Sequence, residues 1–489
     1  MSNRNIVKLF KTTINNNDFL GFKNNKQWKW ISRQHLNNMV NNGIQILNDH
    51  SVKPGDRIAF KGKNSKEWVA WNLATLSVGG IWVPMYPQQD LLYSQHVIDD
   101  CQPKLLITNE NVSIKNTKII KEDIENLNYV NQDFDLKCNQ ISTLVYTSGT
   151  TGKPKGVVLS HDNILSNLDS IRKRYPDLNN TTSLNILPWA HIYGLTCELY
   201  YNLLNDNKMA LASSKDTFIN EVREVKPDVL FVVPKLLELI KNKLSLLDQP
   251  LIKNILPLVL NYLFGGNIIT LFCGGAKLDK STRDFYLNNG IIISEGYGCS
   301  ETSPMVSLNH FNNKDERDIE SIGKILDKVI VEIINKEVCV AGPNVMQGYW
   351  NNSDANQQAF YYKDGKKFYK TGDSGYVKYN YLYLTGRISE NYKLSNGKFV
   401  NVGELEEKLK KFIKTNFIVY GENMDNNMLI VEKPFNVKLE VLNQEIESYL
   451  KIVKVIEVES DDINRFLTPK MSIKRKALIN FLKDTKLIF

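Results

Sequence analysis

The residues from 146 to 161 carry the clearest chemical pattern in the chain, YTSGTTGKPKGVVLSH. A predicted strand, Ser142 to Tyr146, runs straight into a loop of hydroxyl side chains, glycines and lysines. Glycines let backbone N–H groups approach a ligand closely, while hydroxyl groups and lysines add donors and positive charge. This chemistry predicts a nucleotide triphosphate as ligand. The predicted contacts are Thr147, Ser148, Gly149, Thr150, Thr151, Gly152, Lys153 and Lys155.

This loop differs from the GxxxxGK[ST] loop of P-loop nucleotide hydrolases. Thr147 stands where that motif needs glycine, and Pro154 follows Lys153 where it needs serine or threonine. An ordinary turn would explain one or two glycines, but not a run of this length. TSGTTGKPKGV instead resembles the signature loop of the adenylate-forming superfamily, which includes acyl-CoA synthetases, luciferases and peptide-synthetase adenylation domains.

The resemblance implies a reaction in two steps. The carboxylate of an acid attacks the α-phosphorus of ATP and pyrophosphate leaves; a thiol then attacks the acyl-adenylate and AMP leaves. It implies a small-molecule carboxylic acid, ATP, Mg²⁺ and coenzyme A as ligands. It also implies a multi-domain α/β fold, with two stacked α/β sheets and a β-barrel lobe in a large N-terminal region, and a small mobile α+β domain at the C-terminus.

Two further segments follow in the order that the superfamily shows. CGGA, at 273–276, closes a predicted strand, and the resemblance implies that Gly274, Gly275 and Ala276 lie flat against adenine. GYGCSE, at 296–301, resembles the YGxTE motif. Tyr297 would then stack on adenine, and Glu301 with Thr151 would hold Mg²⁺, because a hard cation prefers oxygen ligands. The remaining nucleotide contacts implied here are Gly296, Gly298 and Ser300.

Three polar residues outside these motifs are also candidates. Asp373, in TGD at 371–373, would accept hydrogen bonds from the ribose hydroxyls, and Arg387 would reach ribose or phosphate. The alternatives are a turn aspartate and a surface arginine. His191, in LPWAHIYGL, stands in an apolar segment, where a lone histidine is more often a packed core residue. The resemblance implies that it positions the substrate carboxylate, which needs no base because it is already ionised at neutral pH.

The superfamily places one lysine near its C-terminus, where it bridges the carboxylate and the α-phosphate. In LTPKMSIKR, residues 467–475, Ser472 occupies the expected position, with Lys470 and Lys474 two residues away on either side. In an extended segment both lysines share a face with residue 472. Lys474 is therefore the predicted catalytic residue and Lys470 its alternative. Two other interpretations are open. The reaction proceeds more slowly without this lysine, or the protein binds its ligands without turnover.

Short apolar strands alternate with helix-like stretches, which predicts α/β layers and a largely parallel sheet. The predicted strands are Lys104–Thr108, Ser142–Tyr146, Val229–Val233 and Ile268–Phe272. A predicted apolar helix covers 71–82 and ends at Gly79-Gly80, and alternating β segments follow Val329. The resemblance implies an N-terminal AMP-binding domain, 1–388, with the barrel-like lobe near 310–386. It also implies a mobile C-terminal domain, 389–489, with Ser389 as hinge.

Two segments favour a medium- to long-chain fatty acid. KLSNGKFV with the following LEE, within 386–407, and LPWAHIYGLTCEL resemble the long-chain fatty acid–CoA ligase branch more than other branches. An aryl, amino-acid or carrier-protein ligase remains open, as does a catalytically silent binder of ATP or acyl groups. Consumption of free coenzyme A would distinguish a coenzyme A ligase from a carrier-protein ligase, because a carrier-protein ligase would not consume it.

The bulk composition excludes several classes of protein. The net charge of +8 is spread along 489 residues, whereas a nucleic-acid binder more often concentrates its charge in one stripe. Six scattered cysteines indicate free thiols in a reducing compartment, which favours the cytoplasm. The apolar stretch 252–264 is too short to span a bilayer and is read as a buried or interfacial helix, so that peripheral membrane contact stays open. The oligomeric state is open as well.

Overall fold

The computed structural model describes residues 4–124, 141–147, 153–244, 253–310, 318–444, 446–467 and 473–488. The predicted contacts Ser148, Gly149, Thr150, Thr151 and Gly152 lie outside these residues, as do Lys470 and Ser472. The chain divides into two compact units. The first comprises Met1–Ile330 with Val340–Tyr369, and the second comprises Val331–Cys339 with Lys370–Phe489.

The strands, in chain order, are β1 Asp18–Asn24, β2 Gln27–Ser32, β3 Arg57–Lys61, β4 Ile81–Met85, β5 Leu105–Ile107, β6 Lys118–Ile120, β7 Ile141–Thr147, β8 Lys155–Ser160, β9 Thr182–Asn185, β10 Lys208–Leu211, β11 Val229–Val232, β12 Thr270–Cys273, β13 Ile293–Gly298, β14 Met305–Leu308, β15 Lys324–Ile325, β16 Ile330–Ile334, β17 Glu337–Ala341, β18 Gly348–Tyr349, β19 Phe360–Lys363, β20 Lys366–Lys378, β21 Tyr381–Arg387, β22 Tyr392–Lys393, β23 Phe399–Val400, β24 Phe417–Tyr420, β25 Asn427–Glu432 and β26 Ile452–Val458.

The α-helices are α1 Ile6–Thr12, α2 Arg33–Asp49, α3 Lys66–Ser77, α4 Leu91–Cys101, α5 His161–Arg174, α6 Tyr201–Leu203, α7 Phe218–Val225, α8 Pro234–Leu244, α9 Leu256–Leu263, α10 Lys280–Asn288, α11 Ser353–Ala359, α12 Val402–Leu409, α13 Leu439–Leu442, α14 Ser460–Asn464 and α15 Arg475–Asp484. A π-helix covers Tyr193–Tyr200, and short 3₁₀ turns cover Lys253–Ile255, Ser300–Thr302 and Ile388–Glu390. Within the described ranges, no helix has the length and apolar character needed to cross a membrane.

Two sheets form the framework of the first unit. In one, the order β2-β1-β10-β9-β11-β12-β13-β14-β15 has a parallel centre, and β14 turns back antiparallel to β13. In the other, β6-β5-β3-β4-β7 run parallel, and β8 and β18 continue the sheet antiparallel. The predicted α/β class with a largely parallel sheet is confirmed, whereas the barrel-like lobe stays a prediction.

The predicted strands coincide with β5, β7, β11 and β12. The predicted helix at 71–82 needs a correction at its end. Helix α3 ends at Ser77, and Trp82 belongs to strand β4. Gly79 has φ +74°, a conformation that favours glycine, and this turn redirects the chain into the strand.

An aromatic cluster holds the segment that carries His191 against the second sheet. Trp68, on α3, meets the ring of Trp82 at 5.0 Å and the ring of Trp189 at 5.4 Å, both edge to face. All three indoles are fully buried. Rings of this size in T-shaped contact fix the approach of a segment as well as burying area. The position of the His191 segment is therefore set by core packing.

In the second unit, the strands β24, β25 and β26 form a sheet with a different core on each face. Side chains alternate along β25: Leu429 and Val431 join the cluster that contains α12, and Met428 and Ile430 join the cluster that contains α15. This is the period of two expected for a strand buried on both sides. Helix α15, which follows Lys474, is thus anchored through Leu478 and Leu482.

Substitution of Glu122 by glutamine is expected to stabilise the protein above neutral pH. Burial raises the pKa of Glu122 to about 7, although Ser65 donates a hydrogen bond to its carboxyl group. The folded state therefore holds a proton that the unfolded state releases above its lower pKa, so stability falls as pH rises towards 7. In chemical unfolding above pH 7 the variant should gain at most about 3 kcal/mol over the parent.

The gain should shrink as pH falls towards 4, where the parent carboxyl is protonated in both states. Glu238→Gln, half-buried on α8 beside Lys235, is the control and should give no comparable gain above pH 7. Parallel stability curves for parent and Glu122→Gln from pH 4 to 8 would contradict the prediction.

Candidate functional site

The ends of the predicted phosphate loop are fixed by strand pairing. Thr147 and Lys155 are register partners in the antiparallel pair β7–β8, so the loop closes between two hydrogen-bonded strands. His96 Nε2 lies 3.0 Å from the carbonyl oxygen of Pro154. Lys153 is exposed and Lys155 is half-buried. Both lysines therefore stand on the limb of the loop that the framework holds in place.

Lys155 and Glu301 are brought together by a residue that no motif indicated, Tyr349. The Lys155 ammonium lies 5.2 Å from the centre of the Tyr349 ring, and the Tyr349 hydroxyl donates to Glu301 Oε1 at 2.9 Å. The Tyr369 hydroxyl in turn bonds that of Tyr349. Burial raises the pKa of Tyr349 well above its ordinary value, so its hydroxyl keeps the proton that it donates. Tyr349 thus couples the phosphate loop to the predicted metal carboxylate.

Hydrogen bonds from the Met346 backbone and the Asn344 side chain hold the turn that carries Ser300 and Glu301. Met346 N–H donates to the carbonyl of Glu301 at 2.9 Å, and the Asn344 side chain donates to the carbonyls of Thr302 and Met305. Asn344 is almost completely buried. Because a buried amide that lost these partners would carry an unmet hydrogen-bonding group, the turn resists displacement. Glu301 is half-buried, with one carboxylate oxygen already oriented by Tyr349.

The two glycine motifs lie at the ends of neighbouring parallel strands, β12 and β13. A Cβ on Gly274 would lie 3.3 Å from the Tyr193 ring and 3.6 Å from the Gly296 carbonyl oxygen, so these residues share one surface. Gly275 has φ +87°, which favours glycine. Ala276 follows on the exposed side of the turn, and Tyr297 is half-buried on β13. The structure thus brings both predicted adenine segments to one edge of the sheet.

Close packing also requires glycine at positions 296 and 298. A Cβ on Gly298 would lie 1.7 Å from the Pro304 carbonyl oxygen, and one on Gly296 would lie 2.2 Å from the Met305 methyl carbon. These contacts arise because β14 returns directly against β13. The two glycines therefore serve the close approach of two strands, whatever they contribute to ligand binding.

His191 stands just before the π-helix and is half-buried. The Tyr193 N–H donates to His191 Nδ1 at 3.1 Å, which makes Nδ1 an acceptor and leaves the ring proton on Nε2 in the neutral form. A Cβ on Gly194 would lie 2.7 Å from the Pro188 carbonyl oxygen, so the segment folds tightly back on itself. π-helical turns are uncommon and frequently occur at functional sites.

A mostly apolar cavity lies between the π-helix and the strands β11 to β14. Its empty volume, counted with its open mouth, is about 340 Å³. Its lining residues are Ile171, Tyr193, Cys197, Tyr201, Phe231, Phe272, Cys273, Ser294, Gly296, Met305 and Leu308. The Tyr193 hydroxyl donates to the Phe272 carbonyl, so this polar group is already satisfied. Because Gly296 belongs to the lining, the cavity adjoins the predicted adenylate motif.

The residues present fit a Mg²⁺ ion that arrives with its nucleotide. Among the described residues, no three His, Cys, Asp or Glu side chains cluster in a way that would hold a metal alone. Mg²⁺ usually keeps several waters and takes one or two carboxylates together with substrate phosphates. Glu301 provides one oriented carboxylate beside the fixed limb of the phosphate loop. Thr151, the other predicted metal residue, lies outside the described residues.

In the second unit, Asp373 and Arg387 are register partners on β20 and β21. Arg387 Nε lies 2.8 Å from Asp373 Oδ1, and its Nη1 donates to the Thr371 carbonyl. Asp373 is buried, whereas the Arg387 side chain is 46% exposed. The structure thus brings the two predicted residues together as an ion pair at one end of a hairpin.

Lys474 lies at the N-terminal end of α15 and is exposed. Its N–H donates to the Phe466 carbonyl at 2.7 Å. The next residue, Arg475, binds Glu406 Oε1 at 2.6 Å and donates to the Val419 carbonyl. The backbone at Lys474 is therefore held on both sides, while its side chain faces solvent.

Solved structures share this fold over nearly the whole chain. The o-succinylbenzoate coenzyme A synthetase of Bacillus subtilis, in complex with AMP, has a TM-score of 0.78 at 20% identity, covering 96% of this chain and 97% of that one. ATP-bound MatB of Rhodopseudomonas palustris has a TM-score of 0.80 at 21% identity, covering 98% and 99%. At this identity the likeness shows the fold, which is that of these AMP- and ATP-binding proteins.

The model of the AMP-binding enzyme family matches residues 13–350, more than half of the chain. The protein therefore belongs to the AMP-binding enzymes, and the predicted membership of the adenylate-forming superfamily is confirmed. The long-chain-fatty-acid–CoA ligase FadD15 of Mycobacterium bovis is 25% identical over 94% of this chain and 92% of its own length. Tyrocidine synthase 3 of Brevibacillus parabrevis is 25% identical over 92% of this chain, which spans only 7% of that protein.

Sequence reasoning missed Tyr349, Tyr369 and Tyr193. Tyr349 stands in GPNVMQGYW, which carries no charged or nucleophilic side chain. Its part in the site comes from the pairing of β18 with β8, which only the fold reveals. Tyr193 is next but one to His191, so inspection of that segment for further polar groups could have found it.

Proposed function

We propose that the protein is an ATP-dependent acid–CoA ligase that activates a medium- to long-chain fatty acid. The observation that carries the proposal is the apolar cavity that adjoins Gly296. Sites for small molecules are usually concave and mostly apolar, with a few polar groups that fix the ligand's orientation. The lining of this cavity is mostly apolar, which favours an acid with a hydrocarbon chain. The likeness to FadD15 supports a fatty acid as well.

In the first step, the carboxylate oxygen attacks the α-phosphorus of ATP and the bond to pyrophosphate breaks, with the electron pair leaving on pyrophosphate. Lys153, Lys155 and the loop from Thr147 would bind the phosphates, and His191 would orient the carboxylate through its Nε2–H. Mg²⁺, held by Glu301 when bound, would supply positive charge to the phosphates. The protein's contribution is mainly positioning and fixed electrostatics.

The adenine would be held by residues of both glycine motifs. Tyr297 would stack on adenine beside Gly274, Gly275 and Ala276. The Asp373 carboxylate would accept hydrogen bonds from the two ribose hydroxyls. Arg387 would hold the Asp373 carboxylate in place or reach a phosphate. Lys474 would bridge the carboxylate and the α-phosphate.

In the second step, the thiolate of coenzyme A attacks the acyl carbon, a thioester forms and AMP leaves. A C-terminal domain from residue 389, mobile about Ser389, remains our proposal for how one site serves both steps. We also propose the cytoplasm as its location, because the described cysteines, Cys101, Cys197, Cys273, Cys299 and Cys339, are free thiols.

An aryl acid is the second candidate substrate. Four aromatic rings line the cavity, those of Tyr193, Tyr201, Phe231 and Phe272, and aromatic pairs add attraction beyond the area that they bury. An aryl acid would use the same adenylation chemistry. The distinction is therefore one of specificity.

The test is incubation of the purified protein with ATP, Mg²⁺, coenzyme A and a panel of straight-chain and aryl acids, with products measured by mass spectrometry. We expect acyl-CoA, AMP and pyrophosphate, with the highest rate for a medium- to long-chain fatty acid. Cys197→Phe, which adds bulk in the cavity, should shift the optimum to shorter acids and leave the rate with the shortest accepted acid nearly unchanged. Acyl-adenylate without acyl-CoA would contradict coenzyme A as acceptor, and neither product with any acid would favour a silent binder.

A further inference from the structure

Helix α9 is apolar at every position except the exposed Asn261, and one of its apolar faces meets solvent. Leu256 and Leu260 are buried in the core of the first unit. On the opposite side, Leu258 is 70% exposed, Tyr262 63% and the preceding Ile255 46%. Residues three and four apart lie on one helix face, so these three side chains form a single patch. A surface helix ordinarily turns polar residues to solvent, which indicates that this face meets an apolar partner.

The patch has cations beside it. The Arg223 guanidinium, on α7, lies 5.3 Å from the centre of the Tyr262 ring and donates to its hydroxyl at 3.2 Å. Lys226, at the C-terminal end of α7, is exposed and its Cα lies 2.8 Å from the place where a Cβ of Gly265 would stand. The nearby acid Glu224 is paired with Lys23 at 2.7 Å. The surroundings of the patch therefore favour a partner with negative charge.

The buried side of α9 leads directly to the cavity wall. Along β11 and β12, Leu230 and Leu271 belong to the cluster that contains Leu256 and Leu260. The alternate residues Phe231 and Phe272 line the cavity. Successive side chains of a strand point to opposite faces, so one sheet separates the exposed apolar helix from the cavity.

We propose that the outer face of α9, formed by Ile255, Leu258 and Tyr262 with Arg223 and Lys226 beside it, docks on the surface of an anionic lipid bilayer. An apolar helix face with cations next to it binds in the interfacial plane by burying apolar side chains and attracting anionic headgroups. Docking near the cavity would aid catalysis only if the substrate is a fatty acid, and this part rests on the proposed function. Docking itself does not depend on catalysis, so the two can fail separately.

Flotation of the purified full chain with vesicles tests the proposal. Vesicles of phosphatidylcholine alone are compared with vesicles that also contain phosphatidylserine. We expect binding to the anionic vesicles, weakened by high salt because surface charge attraction is screened. Leu258→Ser should lower vesicle affinity about tenfold, since it removes most of one apolar side chain from the buried contact. Lys226→Gln should weaken binding to anionic vesicles and leave binding to neutral vesicles unchanged.

Leu92→Ser is the matched control, because Leu92 is 86% exposed on α4 in the same unit and stands outside the patch. It should bind vesicles like the parent. Since both leucines are exposed, thermal unfolding and acyl-CoA formation with a water-soluble acid should stay at parent values in both variants. Equal vesicle binding by parent and Leu258→Ser would overturn the proposal. The proposal would also be overturned if the parent bound no vesicles and formed dimers in sedimentation that Leu258→Ser dissociates. The patch would then join two copies of the chain.

Discussion

Glu301→Gln is expected to slow acyl-adenylate formation on the order of 100-fold, the loss typical for one oriented group that stabilises charge in a transition state. Glutamine keeps the size of the side chain and an oxygen that can accept from Tyr349, so the turn at 300–302 should stay folded. It removes the negative charge that would hold Mg²⁺. The rate of ATP–pyrophosphate exchange should fall at every Mg²⁺ concentration, with half-saturation shifted to higher Mg²⁺. Binding of ATP in the absence of metal should change little.

Tyr349→Phe separates the position of the carboxylate from its charge. The variant keeps the ring beside Lys155 and removes the hydroxyl that donates to Glu301 and bonds Tyr369. The expected loss is about tenfold in exchange rate, in the range of a hydrogen bond to a charged group. Tyr362→Phe is the control, since Tyr362 is 70% exposed on β19. If Glu301→Gln matched the parent in rate and Mg²⁺ dependence, the metal assignment would be wrong and Tyr349 would have no positioning role.

Much of the first unit's framework could be predicted from sequence because its strands are short, apolar and parallel. VLFVV and STLVY read as buried strands, and β11 and β7 form there. Helix boundaries were harder to predict. The run at 71–82 carries no charged residue from α3 into β4, and its polar residues Asn72, Thr75 and Ser77 are themselves buried. Only the turn at Gly79 separates the two elements. Hydrophobicity alone carries no signal at such a boundary, because both elements are buried on all sides.

The parts of the candidate site that could be predicted from sequence lie in loops with glycine, hydroxyl and charged residues. The meeting of Gly274 with Gly296, and of Asp373 with Arg387, follows motifs that were visible in the chain. The coupling through Tyr349 was not visible, because it depends on which strand pairs with β8. Long-range pairing of this kind is set by the whole sheet, and a two-residue strand gives no pattern of its own.

Lys474→Ala is expected to slow adenylate formation about 100-fold, because a positive charge that meets both the carboxylate and the α-phosphate acts mainly in the transition state. Its side chain is exposed, whereas the hydrogen bond from its N–H and the ion pair between Arg475 and Glu406 hold the backbone on either side. The substitution should therefore leave the fold of the second unit intact. Rapid-quench measurement of adenylate should show the loss, and ATP affinity should stay within about twofold. Transfer to coenzyme A from synthetic acyl-adenylate should proceed at the parent rate.

Lys476→Ala is the matched control, since Lys476 is exposed one residue beyond Arg475 on α15. Lys470→Ala and Ser472→Lys separate the alternatives. A loss with Lys470→Ala alone would transfer the role to that residue, because both lysines stand two positions from 472. Unchanged kinetics in both alanine variants, with a faster reaction in Ser472→Lys, would mean that the parent works without this charge and that the phosphate loop and Glu301 carry the first step. In that case the single substitution at 472 would supply the missing attraction directly, and the size of the gain would measure what one cation contributes at this position.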